Sequence, residues 1–357
     1  MSSPENDAWK LIHDWALSAP ELANCTDKSK QILFLHPVPS DSLLEILNSK
    51  IVAGLSVTVL QPFRPYFNQL LKFGSEAETA SLKVVDFVFF VPTRQRAESL
   101  SLIAKAFKQL SNDGIFVFAC ANTQGAAGFL SKLKELLPNL EADSKNKCRR
   151  AVIRKSEVNW LEADVILDQW ISQGSACLVP DTQFSTRPGI YGWNKIDQGS
   201  KILLSTLATL TGEGADFGAG YGYLSASVLS QSSASISNLH LIEADFRALH
   251  CARENLKTWK EKVYCHWLDV VREMKSNDQL PSYDWIIMNP PFHEGSQADT
   301  SLGQAFIEAA ASKIKKGGML YMVANQFLAY EKTLAQNFSI FEKVTVQEGF
   351  KVFHARR

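Results

Sequence analysis

The second half of this 357-residue chain alternates short apolar runs with helical segments, and this pattern restricts the possible folds more than any other feature. Apolar runs end near Phe217, Glu243, Asp269, Asn289 and Val323, and segments with helical periodicity lie between most of them. Short strands linked by helices are typical of a mostly parallel, doubly wound sheet. Near the C-terminus, two apolar runs flank a glycine-containing turn, which predicts an antiparallel edge hairpin. The predicted fold class is therefore α/β.

The first half repeats part of this pattern, but its apolar runs lack the polar residues that end the runs of the second half. The repeat consists of two pairs of segments, 83–92 with 283–290 and 112–122 with 316–325. In the first pair, Val91 stands where Asn289 does. We interpret the two halves as tandem domains of one fold, of which the first has lost its chemistry. The alternative is that any two strand–helix–strand units look alike.

The domain boundary is predicted from a stretch with few periodic segments, which glycine and proline interrupt. This stretch separates a first domain over residues 1–160, without a cofactor site, from a second domain over 186–357. Residues 161–185 are predicted to form the linker.

Composition argues against several classes of protein. Lys plus Arg equals Asp plus Glu at 37 each, so the chain is not one that coats nucleic acid by broad phosphate neutralisation. It has no long apolar run for a membrane span, and its N-terminal residues do not form a secretory signal. The six cysteines are scattered without a Cys-x-x-Cys pair, which suits neither a zinc site nor a dense disulfide framework. We expect a cytoplasmic protein that binds no metal.

A glycine-rich loop follows the first apolar run of the second half. It reads Asp216-x-Gly218-x-Gly220-x-Gly222. Glycines permit positive φ and the close approach of a ligand to the backbone, and the helix behind the loop offers free N–H groups. The dinucleotide fingerprint would place a glycine where Tyr223 stands, so the spacing favours a mononucleoside cofactor without a pyrophosphate. The alternative is a tight strand–helix turn that binds nothing.

Acidic residues after the next two strands support a cofactor site. Glu243, at the end of the second strand, can accept both hydroxyl protons of a ribose in a bidentate contact. Asp245 is a neighbouring candidate, but its position favours a helix N-cap. Asp269, at the end of the third strand, is expected either to accept a hydrogen bond from an adenine amino group or to act only as a loop or cap residue.

The most specific motif is Asn289-Pro290-Pro291-Phe292, directly after a buried strand. The prolines hold the chain extended and leave carbonyl groups free. The Asn289 side-chain oxygen and the Pro290 carbonyl can then accept both protons of a target –NH2 group, which localises the lone pair of the nitrogen. Phe292 offers a flat face for a planar base. We predict Asn289, Pro290 and Phe292 as catalytic residues, with Asn289 also lining the cofactor site. The alternative is a rigid strand-end turn with Phe292 in the core.

Together these motifs resemble those of class I S-adenosylmethionine-dependent amino-methyltransferases. The whole chain is similar to the bacterial 16S ribosomal RNA guanine-N2 methyltransferases, in which only the second of two tandem methyltransferase-like domains binds cofactor. The resemblance is strong from about residue 185 onward and weak before residue 140. The matching positions are Asn289–His293 with Gly295, Ala324-Asn325 with Phe327-Leu328, Phe350–Val352, and Asp197-x-Gly199-Ser200. The sequence departs from the family at Gly189-Ile190-Tyr191-Gly192, where Gly-Val-Phe-Ser is usual.

The resemblance implies S-adenosylmethionine as cofactor, ribosomal RNA or the small ribosomal subunit as partner, and methylation of the exocyclic N2 amine of guanine. Several alternatives stay open: guanine in large-subunit RNA, adenine or a protein glutamine as methyl acceptor, or a non-catalytic RNA-binding module. The basic run over residues 145–155 is a candidate RNA contact or a solvated face. For His293 we expect a structural or stacking role and not that of a base.

Overall fold

The structure is a computed structural model that describes residues 3–23, 29–52, 54–77, 84–291, 293–294, 297–298 and 300–357. The chain divides into two compact units, Met1–Ser175 and Ala176–Arg357. Each unit has a sheet of seven strands with helices on both faces. This arrangement confirms the predicted α/β fold with two tandem, doubly wound domains.

The first unit contains seven helices and seven strands in its described residues. The helices are α1 (Pro4–Ser18), α2 (Pro20–Ala23), α3 (Asp41–Leu47), α4 (Arg64–Leu70), α5 (Arg96–Gln109), α6 (Ala126–Leu136) and α7 (Trp160–Gln173). The strands are β1 (Gln31–Leu35), β2 (Ser56–Leu60), β3 (Ser75–Glu76), β4 (Val85–Phe90), β5 (Leu110–Ala121), β6 (Asp143–Lys145) and β7 (Cys148–Arg154). The strand order is β3-β2-β1-β4-β5-β7-β6, and β7 runs in the direction opposite to that of the other described strands. Helices α1 and α3 pack on one face of the sheet, and α5, α6 and α7 pack on the other.

The second unit repeats this topology after a short hairpin. Its strands are β8 (Cys177–Leu178), β9 (Ser185–Thr186), β10 (Gly212–Phe217), β11 (Ile236–Glu243), β12 (Val263–Trp267), β13 (Tyr283–Met288), β14 (His293–Glu294), β15 (Gln297–Ala298), β16 (Ile314–Asn325), β17 (Ile340–Gln347) and β18 (Phe350–Arg356). Its helices are α8 (Gln198–Thr206), α9 (Tyr223–Ser232), α10 (Phe246–Asn255), α11 (Val270–Glu273), α12 (Thr300–Lys313) and α13 (Glu331–Asn337). The order of the main sheet is β12-β11-β10-β13-β16-β18-β17. The predicted edge hairpin is β17–β18, and the first unit has an equivalent hairpin, β6–β7, that the sequence analysis does not predict.

The central strands of the two units share a detail that a general likeness of strand–helix–strand units would not require. Strands β4 and β13 have the same length and the same burial pattern, with an aspartate at the second position. Asp86 Oδ2 accepts the backbone N–H of Gln31 at 2.9 Å, and Asp284 Oδ2 accepts that of Glu213 at 2.8 Å. Each aspartate thereby ties the start of the first main-sheet strand to its neighbour. The equivalence supports the interpretation of the halves as repeats.

The boundary between the units differs from the predicted one. Residues 160–173 form α7, which buries Ala163, Leu167 and Trp170 in the core of the first unit. The spacing of these three residues is that of one face of a helix, a signal that the glycine and proline interruptions around it obscure. Residues 177–186 form the hairpin β8–β9, which belongs to the second unit. In the sequence, the boundary between the units therefore follows Ser175. The predicted linker over 161–185 is mostly regular structure.

The topology of the second sheet brings the predicted motifs together. Strand β10 lies between β11 and β13, and all three run parallel. Their carboxyl ends consequently meet at one edge, at the point where the strand order reverses direction, which is where open α/β sheets bind ligands. The glycine loop follows β10, Glu243 ends β11, and Asn289 follows β13.

Candidate functional site

The glycine loop connects β10 to α9 at the carboxyl edge of the second sheet. Gly218, Gly220 and Gly222 have φ values of +74°, +56° and +86°, in the left-handed region that favours glycine. A Cβ at Gly222 would lie 3.3 Å from the Cβ of Ala252, so this glycine also lets α9 lie close to α10. Among the described residues other than its two neighbours in the loop, no heavy atom lies within 4 Å of the equivalent position at Gly220. The middle of the loop therefore faces open space, which suits the approach of a ligand to its backbone.

Asp216 lies in β10 directly before the loop, and its side chain is fully buried. Its Oδ2 accepts a hydrogen bond from the Ser225 hydroxyl at 2.7 Å, whereas Oδ1 has no partner among the described residues. Removal from water raises the pKa of Asp216 to about 7, and the nearby carboxyl of Glu243 adds to the rise. A buried oxygen without a donor is costly, so a donating or cationic group of a ligand would relieve the cost.

Glu243 holds the glycine loop against the end of β11. Its Oε2 accepts the backbone N–H of Gly220 at 2.7 Å, and its Oε1 accepts that of Asp245 at 2.7 Å. Burial raises the pKa of Glu243, and these backbone donors act against the rise. Each carboxylate oxygen retains a lone pair for a ribose hydroxyl. Glu243 thus fits its predicted role and also shapes the loop, which the sequence analysis does not foresee.

The other two acidic candidates both cap helices. Asp245 is the N-cap of α10 and accepts the backbone N–H of Arg247 at 2.9 Å, as its position predicts. Asp269 is the N-cap of α11, and its Oδ1 accepts the backbone N–H of Val271 at 2.9 Å. Asp269 Oδ2 lies 3.8 Å from Nε of Arg272, which is too far for a hydrogen bond. Asp269 therefore has the capping role, and its second oxygen can still accept a hydrogen bond from an adenine amino group.

The side chain of Asn289 is held in one orientation. Its Nδ2 donates to Asp197 Oδ2 at 2.7 Å and to Ser200 Oγ at 3.0 Å. Because an ionised carboxylate can only accept hydrogen bonds, the Asn289 atom that faces Asp197 must be the nitrogen. Both amide hydrogens are used in these bonds, and the amide oxygen is directed away from Asp197. That oxygen is therefore available to accept a hydrogen bond from a ligand.

Asp197 connects Asn289 to two further groups. It is the N-cap of α8, where its Oδ2 accepts the backbone N–H of Ser200 at 2.8 Å. Its Oδ1 accepts the hydroxyl of Tyr191 at 2.7 Å. In the sequence, Asp197 and Ser200 form a capping pattern before an apolar run, but nothing there links them to a residue 92 positions away. This support for Asn289 is the part of the site that sequence reasoning misses.

The segment before α8 explains one departure from the resembling family. Gly192 has a φ of +68°, and a Cβ there would lie 3.4 Å from the ring of Tyr221. The backbone conformation thus favours glycine where the family usually has serine, and the site has no hydroxyl at this position. Ile190, on the other side of Tyr191, is buried.

The proline motif is described only in part. Pro290 is buried and Pro291 is exposed. Phe292 lies outside the described residues, so its stacking role stays a prediction. The backbone of residues 293–294 pairs antiparallel with that of residues 297–298.

Three of the six cations of the basic run in the first unit are paired with carboxylates. Lys145 contacts Asp14 at 2.7 Å, and Arg154 contacts Glu21 at 2.6 Å. Arg150 pairs with Asp143. These neighbouring carboxylates reduce the positive potential that would attract phosphates, so the pairing weakens the interpretation of this run as an RNA contact.

Two absences apply to the part of the chain that the structure describes. No helix there has the length and apolar character needed to cross a membrane. No three or more His, Cys, Asp or Glu residues there form a group that could hold a metal ion.

The chain is similar to known methyltransferases. The family model described as the methyltransferase small domain matches residues 181–354. Relatives from several bacteria carry the name ribosomal RNA small subunit methyltransferase C. That of Shewanella pealeana is 26% identical over 336 residues, 91% of this chain and 94% of the relative. That of Photorhabdus laumondii is 29% identical over 290 residues, 80% of each protein.

A solved structure has the same fold over almost the whole chain. It is a 16S rRNA N2 G1207 methyltransferase from T. thermophilus, in complex with AdoMet and guanosine. It has a TM-score of 0.74 and 21% identity, and the match covers 97% of this chain and 92% of that one. The second unit thus combines a methyltransferase fold, a glycine loop facing open space and an oriented asparagine at the expected strand end. The chain is similar to ribosomal RNA small subunit methyltransferases over most of its length, and it is an S-adenosylmethionine-dependent methyltransferase.

Proposed function

We propose that this protein transfers a methyl group from S-adenosylmethionine to the exocyclic N2 amine of a guanine in 16S ribosomal RNA of the small subunit. The names of its relatives and the guanosine in the related T. thermophilus structure support this substrate. A ribosomal substrate would place the protein in the cytoplasm, and we include that location in the proposal.

The observation that carries the proposal is the orientation of the Asn289 amide. Because Asp197 and Ser200 accept hydrogen bonds from both of its N–H groups, the amide can contact a ligand only through its oxygen, which accepts hydrogen bonds. The Pro290 carbonyl belongs to the next residue, which has no N–H of its own. Two neighbouring acceptors are what a planar –NH2 group with two hydrogens requires.

Hydrogen bonding to both protons prepares the amine for transfer. The lone pair of an exocyclic amine is delocalised into the base, and two acceptors outside that conjugation favour a more tetrahedral nitrogen. The negative charge of Asp197 polarises the Asn289 amide and strengthens its oxygen as an acceptor. Holding the nitrogen in line can lower the barrier by about 7–11 kcal/mol. No dedicated base is required, because the amine becomes acidic only after methylation.

The cofactor residues have separate tasks in this proposal. S-adenosylmethionine supplies the reactive methyl group when bound. Asp216 offers its unpartnered oxygen to a donating or cationic group, and Glu243 offers lone pairs to the ribose. Gly218, Gly220 and Gly222 form the loop, and Asp269 presents one oxygen to the adenine amino group.

Methylation of isolated ribosomal subunits tests the proposal. Small subunits, large subunits and naked 16S RNA are each incubated with labelled S-adenosylmethionine, and the nucleosides are identified by mass. We expect N2-methylguanosine from small subunits or 16S RNA. Label in adenine, in large-subunit RNA or in a protein glutamine would contradict the assigned substrate. The experiment must distinguish these acceptors, because the two oxygens at Asn289 and Pro290 would serve those amino groups equally well.

A further inference from the structure

Tyr191 combines an exposed ring with a fixed hydroxyl group. The residue is 64% exposed, yet its hydroxyl donates to Asp197 Oδ1 at 2.7 Å. The backbone on both sides is also constrained, because Ile190 is buried and Gly192 has a positive φ of +68°. The ring is therefore a flat, solvent-facing surface that has little freedom left to lose when something packs on it.

The hydrogen bonds fix how far Tyr191 lies from the proposed methyl acceptor. Asp197 contacts Tyr191 with one oxygen and Asn289 with the other, each at 2.7 Å. Since the two oxygens of a carboxylate are separated by about 2 Å, the Tyr191 hydroxyl lies within about 8 Å of Asn289 Nδ2. It lies on the Nδ2 side of the amide, whereas the target amine would be on the oxygen side. The ring is thus placed beside the target and not over it.

The surroundings favour a nucleic acid as the occupant of this face. Lys195 and Lys201 lie before and after Asp197 in the chain, and both are exposed. The exposed ring and these two exposed lysines thus belong to one short segment of the chain, and proteins bind unpaired nucleotides by stacking on the base with cations near the phosphates.

We propose that Tyr191 stacks on an unpaired RNA base next to the methylated guanine. The inference rests on the proposed function and adds a substrate-binding residue to that site. The Tyr191 hydroxyl serves the adjacent Asp197, so one side chain both binds RNA and helps to position Asn289.

Steady-state methylation of small subunits by Tyr191→Ala and Tyr191→Phe tests this inference. We expect Tyr191→Ala to raise KM for subunits about 10-fold to 100-fold, because a stacked base contributes on that scale. Tyr191→Phe retains the ring and should keep KM close to that of the wild type. S-adenosylmethionine affinity is measured on both variants as well, because Tyr221 of the glycine loop lies beside this segment. A loss of cofactor affinity in Tyr191→Ala as large as the rise of KM would overturn the inference.

The matched control is Ile340→Ala. Ile340 is 67% exposed on β17, at the opposite edge of the same sheet, so its removal should leave KM unchanged. An active wild type with the same KM in Tyr191→Ala would overturn the inference alone. An equal rise of KM in Ile340→Ala would also overturn it, because the effect would then not be local. A wild type that methylates neither subunits nor 16S RNA would instead overturn the proposed function.

Discussion

At the scale of single residues, catalysis depends on which way one amide points. Asn289 could present either its oxygen or its nitrogen to a substrate, and only the oxygen can accept protons from an amine. The carboxylate of Asp197 decides between the two, since it accepts hydrogen bonds and cannot donate. Asp197 is thus a positioning residue that acts through Asn289.

The variant Asp197→Asn tests this positioning role. Asparagine keeps the shape and is an equally good N-cap for α8, but its amide can pair with Asn289 in either orientation. We expect kcat to fall about 10-fold to 100-fold, as for the loss of one preorganised hydrogen bond, while KM and the affinity for S-adenosylmethionine change little. Steady-state kinetics and calorimetry measure these quantities. A variant with wild-type kcat would show that Asp197 is only a helix cap.

A second residue-scale prediction concerns the buried carboxyl of Asp216. Its folded pKa of about 7 lies above the unfolded value near 4, so between these pH values the folded protein holds a proton that the unfolded chain has lost. This group therefore makes the ligand-free protein less stable as pH rises through that window. Asp216→Asn should raise the melting temperature of the ligand-free protein at pH 8 and reduce the further rise on adding S-adenosylmethionine.

Thermal unfolding at pH 6 and pH 8, with and without cofactor, provides the measurement. The amino group of the cofactor can also titrate between these pH values. Its effect on the melting temperature is the same for variant and wild type, so it cancels in the comparison. An unchanged cofactor-induced shift in Asp216→Asn would mean that Asp216 does not face the ligand.

At the scale of secondary structure elements, the glycine loop has two separable functions. Gly220 and Gly222 both have positive φ, so alanine at either position costs roughly 1–2 kcal/mol in backbone strain. Only at Gly222 would the new Cβ also press on α10, 3.3 Å from Ala252. We expect Gly222→Ala to lower the free energy of unfolding more than Gly220→Ala does. Gly220→Ala should instead weaken S-adenosylmethionine binding more.

Denaturant unfolding and calorimetry of the two variants make this comparison. The reverse ranking, with Gly220→Ala the less stable variant and Gly222→Ala the weaker binder, would contradict the assignment.

The pairing of β11 with β12 places two histidines, His240 and His266, in contact. His240 Nδ1 lies 3.0 Å from His266 Nε2, and the planes of the two rings are nearly parallel, with an interplanar angle of 4°. Burial lowers the pKa of His266 to about 4, and the neighbouring His240 adds to the effect. Because the folded pKa is below the unfolded value near 6.5, this group's contribution to stability is lost as pH falls from about 6.5 toward 4.

The variant His266→Gln removes this titration and keeps a hydrogen-bonding side chain. Its free energy of unfolding should improve relative to that of the wild type as pH falls from 7 to 5. Urea unfolding at the two pH values measures the difference, and a difference that does not vary with pH would contradict the prediction.

These elements also show what the sequence allows one to predict. Near-continuous apolar runs such as β13 indicate buried parallel strands, and a glycine loop after one of them indicates the ligand-binding edge, because both signals are local. The capping of α10 by Asp245 is predictable for the same reason. The bond between Asp197 and Asn289 joins distant positions, and only the folded sheet brings them together.

At the scale of the whole molecule, the same topology occurs twice but the chemistry once. The strand order and the bridging aspartates, Asp86 and Asp284, are common to both units. We therefore infer that these features stabilise the fold. Val91 follows β4 where Asn289 follows β13, and it is buried. The first unit thus lacks a polar acceptor at the position that the second unit uses. The predicted linker contains helix α7 of this unit. The glycine and proline residues around it lead to that prediction, whereas packing against the rest of the unit stabilises the helix.

The most direct test of the account is methylation of small ribosomal subunits by Asn289→Ala, with S-adenosylmethionine binding measured by calorimetry on the same protein. Loss of the oriented acceptor should lower kcat about 100-fold or more, while the cofactor binds as in the wild type. N2-methylguanosine formed by this variant at the wild-type rate would contradict the central claim.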